Sequence, residues 1–165
     1  MALLVCGLWL AGCQPQSPQH AETARVVRVV SGQTVEVELA GAVERLRLVG
    51  LDAPDLRQVP WGENAKKALE EDVGGKTVRL EFDIETRDRF DRLLGYIWLD
   101  GQLINERSIA RGHALFVSRP PNLKYDRRLQ PARDRARILG LGIWNPDNPM
   151  RQTPSEFRQQ NRNDP

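Results

Sequence analysis

The sequence predicts an α+β fold in which five short strands form a small β-barrel and three helices pack around it. Two observations support this prediction. Short runs with strand-like alternation are separated by turn residues, and a helical pattern stands between the third and fourth of these runs. The resulting order of three strands, a helix, two strands and two helices fits a five-stranded barrel of the OB type. A chain of 165 residues, 40% of them hydrophobic, is the usual size of one domain.

The first three strands follow one another with short turns. Residues 25–30 are rich in valine and end at a Ser-Gly turn. Residues 35–39 alternate apolar with polar side chains, and Gly41 separates them from residues 45–48, where two leucines alternate with two arginines. This pattern predicts a meander of three strands.

After the third strand, the spacing of the apolar residues changes from that of a strand to that of a helix. From Trp61 the pattern becomes helical, because Ala65, Leu69 and Val73 recur four residues apart before a Gly-Gly pair ends the helix. The fifth strand is apolar on both faces, which predicts a central place in the sheet. The sequence predicts the last two strands at residues 78–82 and 93–99, and the last two helices at residues 103–110 and 125–139.

The N-terminal residues predict targeting rather than fold. Residues 2–11 are uncharged and almost wholly apolar, and they are too few to span a bilayer. Residues 10–13, Leu-Ala-Gly-Cys, resemble the bacterial lipobox, in which the cysteine is acylated and becomes the new N-terminus. This interpretation predicts a signal peptide at residues 1–12, lipidation of Cys13, and a membrane-anchored location in the periplasm or on the cell surface. The alternative is a buried N-terminal strand that contains a cysteine.

Two polar segments flank the predicted domain. Residues 13–23 carry the lipidated cysteine and lack an apolar pattern, which predicts a flexible tether. Residues 149–165 are rich in Pro, Asn, Gln and Arg, which predicts a disordered tail. The folded domain is therefore expected at residues 24–148.

Composition excludes several kinds of site. Cys6 and Cys13 are the only cysteines and lie at the N-terminus, so the domain has neither a disulfide core nor a thiolate metal site. The chain has two histidines, His20 and His113, which excludes a histidine-rich metal site. Twenty of the 24 basic residues are arginine. Arginine grips phosphate or carboxylate with a planar fork of donors, although surface ion pairs explain most such residues.

Three segments together resemble one known family. They are Val30–Val35, Arg47–Asp55 and Asp88–Tyr96. The second segment is Arg-Leu-Val-Gly-Leu-Asp-Ala-Pro-Asp, and the third contains Asp-Arg-Phe-Asp-Arg. In order and spacing they resemble the staphylococcal nuclease, or thermonuclease, family, whose members have roughly Arg-Leu-Ile-Gly-Ile-Asp-Ala-Pro-Glu and Asp-Arg-Tyr-Gly-Arg. The resemblance spans about residues 25–148. It implies a Ca²⁺-dependent nuclease that cleaves single-stranded or flexible DNA or RNA and leaves a 3′-phosphate. We expect a monomer.

The resemblance also implies roles for individual residues. Hydrolysis of a phosphodiester builds negative charge that arginine forks and a hard cation neutralise, and a carboxylate orients or deprotonates the water. By position the family implies that Arg47 and Arg92 clamp the phosphate. It implies that Asp52 and the main-chain carbonyl of Ala53 bind the metal ion, and it places Asp55 where the general-base glutamate stands. Taken singly, each arginine is better explained by pairing with a Glu on a neighbouring strand, and Asp52 by turn formation. Taken as an ordered set, these residues favour the family site.

The departures from the family pattern fall in this predicted site. Gln33 stands where the family has a metal-binding aspartate, and it offers a carbonyl oxygen without charge. Metal affinity is therefore expected to fall. Asp55 is one methylene shorter than glutamate, and a misplacement of about 1 Å can lower a rate about 100-fold. Asp91 replaces a turn glycine, which requires left-handed backbone, and it adds a negative charge beside Arg92.

Aromatic and basic residues near these motifs are candidate substrate-binding residues. Phe90 replaces a tyrosine, and Arg89 precedes it. Phe116 and Ser118 take similar places to tyrosines that line the nucleotide pocket in the family. Stacking is thus predicted to survive in part, whereas the hydroxyl groups are lost at Phe90 and Phe116.

Two alternatives to a weakened nuclease remain open at this point. The first is a non-catalytic module that binds nucleic acid or another polyanion through Arg47, Arg92 and the basic third helix. The second is a structural envelope lipoprotein, because the third helix also contains Asp126 and Asp134 and is then an ordinary solvated face. The arginines of the third helix are Arg127, Arg128, Arg133, Arg135 and Arg137.

Overall fold

The computed structural model describes residues 21–161. Its strands are β1 (Ala21–Ser31), β2 (Thr34–Leu39), β3 (Ala42–Leu48), β4 (Leu51–Asp52), β5 (Thr77–Glu81), β6 (Leu93–Leu99), β7 (Gln102–Leu103) and β8 (Leu115–Phe116). Its helices are α1 (Trp61–Val73), α2 (Ile104–Ala110), α3 (Asp126–Ile138) and α4 (Pro154–Gln160), with a 3₁₀ turn at Gly142–Trp144. The prediction of three helices is therefore wrong by one, since α4 was expected to be disordered.

Five strands close into a barrel. The sheet order is β3-β2-β1-β5-β6, all antiparallel, and β3 also pairs with β6 in parallel. This last ladder joins Leu46 to Leu93 and Leu48 to Gly95 and so leaves the barrel without a free edge. The five-stranded barrel with a helix between its third and fourth long strands is confirmed.

The alternation seen in the sequence builds the core. Val35 and Val37 of β2 and Leu46 and Leu48 of β3 point inward, because side chains two residues apart share one face of a strand. Helix α1 buries Ala65, Leu69 and Val73 against the barrel, as its four-residue spacing predicts. The buried side chain of Asn105 connects α2 to the barrel, accepting from the backbone N–H of Ile97 at 3.0 Å and donating to the carbonyl of Val49 at 2.9 Å.

The prediction of a tether up to residue 23 is wrong for its last three residues. Residues 21–23 belong to β1 and pair with β5, where Ala21 faces Glu81 and Thr23 faces Arg79. Their side chains are exposed, so composition carried no signal, and the backbone ladder alone makes them part of the barrel. Residues 1–20, including Cys13 and the predicted signal peptide, lie outside the described residues.

The prediction of a disordered tail from residue 149 is wrong for residues 149–161. Helix α4 begins with a capping box: the Thr153 hydroxyl accepts from the N–H of Glu156 at 3.3 Å, and the Glu156 carboxylate accepts from the N–H of Thr153 at 2.8 Å. Pro154 occupies the first helical position, where its missing N–H costs nothing. The segment therefore has a helix start that its polar composition concealed.

Three contacts dock this C-terminal segment on the loop that precedes α1 and on the first residue of that helix. The Gln58 amide donates to the carbonyl of Gln152 at 3.1 Å, and the Trp61 indole donates to the carbonyl of Asn148 at 3.3 Å. The Arg57 guanidinium lies 5.6 Å from the centre of the Phe157 ring. In the described part of the chain, no helix is long and apolar enough to cross a membrane.

Candidate functional site

A cleft of about 1090 Å³ lies beside the turn from β3 to β4 and contains most of the predicted site. Six predicted residues line it, which are Gln33, Arg47, Asp52, Arg89, Phe90 and Arg92. The sequence did not single out the other charged residues of its wall, which are Glu85, Asp88, Arg119 and Arg158. The structure thus gathers side chains from distant parts of the chain, and α4 contributes to the wall.

Arg47 lies at the end of β3 and is only 8% exposed. Its guanidinium donates to the carbonyls of Leu48 and Leu51, the latter at 2.8 Å, and lies 3.6 Å from the Asp52 carboxylate. Burial lowers the pKa of Arg47 to about 10, so the group stays charged at neutral pH. Its partner is therefore Asp52 and the turn backbone, not a Glu on a neighbouring strand.

Gly50 shapes the turn on which Arg47 rests. Its φ of +78° is in the left-handed region that glycine adopts without strain. A Cβ at this position would collide with the side chain of Leu129 in α3. The turn can therefore pass under α3 and bring β4, with Asp52, back to the cleft.

Arg92 is held by Asp88, four residues earlier in the same loop. Its Nε and Nη2 donate to the Asp88 carboxylate at 2.9 and 2.7 Å. The same carboxylate accepts from the backbone N–H groups of Phe90 at 2.9 Å and Arg92 at 3.1 Å. Burial acts to raise the pKa of Asp88, but these hydrogen bonds hold it below its usual value. Asp88 therefore orders the loop and aims Arg92.

The prediction that Asp91 places its charge on Arg92 is wrong. Asp91 does adopt left-handed backbone, with a φ of +60°, as its place in a glycine position requires. Its carboxylate is 87% exposed and pairs with Arg87 at 3.3 Å. The carboxylate that bonds Arg92 belongs to Asp88, and this role was not predicted from the sequence. Asp88 also accepts from the backbone N–H two residues ahead, which is a pattern that Asp commonly forms in turns.

Phe90 presents an aromatic face beside these arginines. It is 64% exposed, and the guanidinium groups of Arg89 and Arg92 lie 4.7 and 5.5 Å from its ring centre. An exposed ring of this kind can stack on a base. Phe116 lies in β8, outside the cleft lining, with the Arg133 guanidinium 5.6 Å from its ring centre.

The predicted metal ligands do not fit a calcium ion in this arrangement. Both oxygens of Asp52 accept from Nη2 of Arg158, at 2.8 and 2.7 Å, and the Gln33 side-chain oxygen accepts from the N–H of Ala53 at 2.7 Å. Calcium takes about six to eight oxygen ligands, several of them charged. Across residues 21–161, no group of three or more His, Cys, Asp or Glu is placed to hold a metal ion.

Asp55, the predicted base, does not line the cleft. Its Oδ1 accepts from both the backbone N–H and Nε of Arg57, each at 3.1 Å. Burial acts to raise the pKa of Asp55, but the bonds and charge of Arg57 hold it below its ordinary value. A carboxylate with a lowered pKa is a weaker base.

Three of the five arginines of helix α3 have a partner near the protein surface. Arg128 pairs with Glu106 at 2.6 Å, and Arg133 pairs with Asp134 at 2.8 Å. Arg137 lies over the ring of Trp144 at 5.2 Å. No arginine of helix α3 lines the cleft, where most of the predicted site residues lie together.

Comparison with known proteins identifies the family of the chain. A family model described as "Staphylococcal nuclease homologue" matches residues 45–146. The chain belongs to this family. The thermonuclease of Staphylococcus hyicus is 32% identical over 134 residues, which cover 78% of this chain and 79% of the relative. Endonuclease YncB of Bacillus subtilis is 30% identical over 140 residues, which cover 79% of this chain and 66% of the relative.

A further relative supports the same assignment. The thermonuclease of Staphylococcus intermedius is 33% identical over 130 residues, which cover 76% of this chain and 77% of the relative. These similarities to named nucleases support a nuclease hydrolase activity and confirm the family that the three sequence segments indicated.

Proposed function

We propose that this protein is a nuclease that binds single-stranded or flexible DNA or RNA in the cleft and hydrolyses its phosphodiester bonds. One observation carries the proposal: five arginines line one open cleft against three carboxylates. The guanidinium groups exceed the acids that could neutralise them, so the cleft attracts a phosphate backbone.

Each element of the cleft has a part in this proposal. Arg92, aimed by Asp88, donates to the phosphate from the loop, and Arg47 supplies a buried positive charge beneath it. Fixed donors of this kind stabilise charge that develops on phosphate oxygens. The Phe90 ring stacks on a base next to the bound phosphate. By resemblance to the family, cleavage leaves a 3′-phosphate.

Calcium is the cofactor that the resemblance predicts. Because Arg158 bonds both oxygens of Asp52 and the Gln33 oxygen is bonded to Ala53, the chain's donors do not match this ion, and the proposal assigns it no step. The dependence of cleavage on Ca²⁺ is therefore a question for the assay below.

A second candidate function rests on the same contacts. Asp52 is neutralised by Arg158, and Asp55 is bonded to Arg57 outside the cleft, so the predicted metal-binding carboxylate and the predicted base are both engaged. A cleft with arginines and a stacking ring, in which the one of these carboxylates that lines it is already paired, is suited to binding nucleic acid without cleaving it.

We further propose that the protein is a monomer anchored in a bacterial envelope membrane, facing the periplasm or the cell exterior, through an acylated Cys13. The support is the Leu-Ala-Gly-Cys sequence at residues 10–13 after an apolar run. Metabolic labelling with radioactive palmitate is expected to mark the wild-type chain and not Cys13→Ala. Equal labelling of the two chains would overturn the assignment.

Cleavage of a fluorescent single-stranded oligonucleotide tests the nuclease proposal. The full chain is assayed with Ca²⁺ and with chelator, beside Arg92→Ala and a control, Arg28→Ala, which removes an exposed arginine paired with Glu36 on the barrel. Loss of one donor to a developing oxyanion lowers kcat about 100- to 1000-fold, so the kcat of Arg92→Ala is expected to be lower than that of the wild type by that factor. Arg28→Ala is expected to match the wild type within about two-fold.

The outcomes separate the candidates. Cleavage that Arg92→Ala loses and Arg28→Ala keeps supports the nuclease. If the wild-type chain does not cleave at millimolar Ca²⁺ but binds the oligonucleotide tightly, the result supports the binding module and not the nuclease. Neither cleavage nor binding would overturn both.

A further inference from the structure

We propose that Arg158 of helix α4 is a phosphate-binding residue of the cleft, and that its guanidinium takes the place of a metal cation beside Asp52. The cleft then binds nucleic acid without a divalent ion. This inference rests on the proposed function, because it assigns a further residue to the same substrate site.

The hydrogen bonds of Arg158 to Asp52 use one of its three guanidinium nitrogens. Nη2 is bonded to both oxygens of Asp52, at 2.8 and 2.7 Å. Within residues 21–161, neither Nε nor Nη1 of Arg158 has a hydrogen-bond partner. The side chain is 37% exposed and lines the cleft. One guanidinium can thus hold a carboxylate with one nitrogen and donate to a phosphate with the others.

The charge around Asp52 supports an anion rather than a cation as the ligand. The Asp52 carboxylate, 11% exposed, already has Arg158 at 2.7 Å and Arg47 at 3.6 Å. Beyond the effect of burial, the positive charges of Arg119, Arg92 and Arg158 each act to lower the pKa of Arg47. Four guanidinium groups therefore act on one region, and a bound phosphate relieves their mutual repulsion.

Helix α4 is held in place by contacts that do not involve Arg158. These are the capping box at Thr153, the Gln58–Gln152 bond, the Trp61–Asn148 bond and the stack of Arg57 on Phe157. Ser155 and Gln159 line the cleft together with Arg158, as expected for residues three and four apart on one helical face. The docking of α4 by these contacts thus places Arg158 next to Asp52.

The cleft remains open with α4 docked. Ser155, Arg158 and Gln159 form part of the wall that encloses its volume of about 1090 Å³. A helix that blocked the site would fill this space. The geometry therefore supports α4 as a wall of the substrate site and not as an inhibitory plug.

The test is the affinity of the full chain for a single-stranded phosphorothioate oligonucleotide, followed by fluorescence anisotropy at several salt concentrations. In chelator and in Ca²⁺ the wild-type Kd is expected to agree within about two-fold, since no ion is needed. Arg158→Ala is expected to raise the Kd about 10-fold in chelator. The slope of log Kd against log salt concentration is expected to fall by the amount that corresponds to about one phosphate contact. Arg158→Lys should recover part of this loss, because it keeps the charge but not the fork.

The matched control is Arg151→Ala. Arg151 is an exposed arginine in the same C-terminal segment and does not line the cleft. Its removal is expected to change the Kd by less than about two-fold. Circular dichroism and thermal unfolding of each variant establish that the barrel is intact.

A double variant separates contact from charge neutralisation. If Arg158 served only to neutralise Asp52, then Asp52→Asn in the Arg158→Ala background would restore wild-type affinity. The proposal predicts that the double variant stays weak, because the donor to phosphate is still absent. Full restoration, or tighter binding by Arg158→Ala alone, would overturn it.

The same data distinguish failure of the inference from failure of the proposed function. Loss of binding in Arg92→Ala with no change in Arg158→Ala keeps the nuclease site and rejects the role of Arg158. Loss of binding in both variants, in a chain that cleaves nothing with or without Ca²⁺, keeps the role of Arg158 and rejects the nuclease. A wild-type chain that does not bind the oligonucleotide in chelator rejects the role of Arg158.

Discussion

Two of the arginine–carboxylate pairs that line the cleft are built in different ways. Asp88 and Arg92 are four residues apart in one loop, and Asp88 also accepts two backbone N–H groups of that loop. Asp52 and Arg158 are 106 residues apart and meet through the docking of a helix of seven residues. The first pair forms whenever its loop forms, whereas the second requires a separate docking event.

Because one pair is local and the other depends on docking, we expect the two pairs to differ in stability. Asp88 is nearly buried and satisfies several donors at once, so its removal disturbs the loop itself. A helix as short as α4 is marginal on its own and depends on its contacts with the barrel. We therefore expect the α4 wall to open before the barrel unfolds, while the wall built by Asp88 stays closed until it does.

The largest effect is expected when the local pair is broken. Asp88→Asn keeps the shape but removes the charge that holds Arg92, and it leaves a guanidinium without its carboxylate. The free energy of unfolding is expected to fall by about 2 to 3 kcal/mol, measured by urea denaturation with tryptophan fluorescence.

The control for this variant is Asp91→Asn in the same loop. Asp91 is exposed, and asparagine tolerates its left-handed backbone. The free energy of unfolding of Asp91→Asn is therefore expected to stay within about 0.5 kcal/mol of the wild type. Equal losses in the two variants would show that Asp88 has no special place in the loop.

A smaller effect is expected when the helix start of α4 is removed. Thr153→Ala deletes the capping box and is expected to destabilise α4 by about 1 kcal/mol. Amide hydrogens of α4 should then exchange about five-fold faster, with the melting temperature of the barrel unchanged. Thr153→Ser keeps the cap and should exchange like the wild type. Faster exchange throughout the barrel would contradict independent opening of α4.

The smallest effect is expected at an exposed pair beside the loop. Arg87 pairs with Glu44 at 2.9 Å and with Asp91 at 3.3 Å, on a surface where salt screens such attraction. Arg87→Ala is expected to lower the free energy of unfolding by less than about 1 kcal/mol in the same urea experiment. A loss as large as that of Asp88→Asn would mean that Arg87, and not Asp88, holds the loop.

The barrel was predictable because its signals are local. Alternation at Val35 and Val37 and the spacing of Ala65 and Leu69 report burial directly. Residues 21–23 escaped prediction because they contribute backbone pairing with exposed side chains. Helix α4 escaped it because polar composition outweighed a Thr-Pro-Ser-Glu sequence that does carry a capping signal.

The site was predictable in its location and less so in its contacts. The resemblance brought Gln33, Arg47, Asp52 and Arg92 together, and the structure places all four in one cleft. The Asp52–Arg158 pair joins residues 106 positions apart, and no local pattern marks such a contact. The roles of these residues in catalysis stay predictions.

The most direct measurement is a crystal structure of the full chain with a single-stranded phosphorothioate oligonucleotide, grown in the presence of chelator. The expected result is a phosphate in the cleft within hydrogen-bond distance of Arg92 and Arg158, with α4 docked and Asp52 still bonded to Arg158. An oligonucleotide bound along α3, or a phosphate that enters the cleft only after α4 has left it, would contradict the arginine-built site.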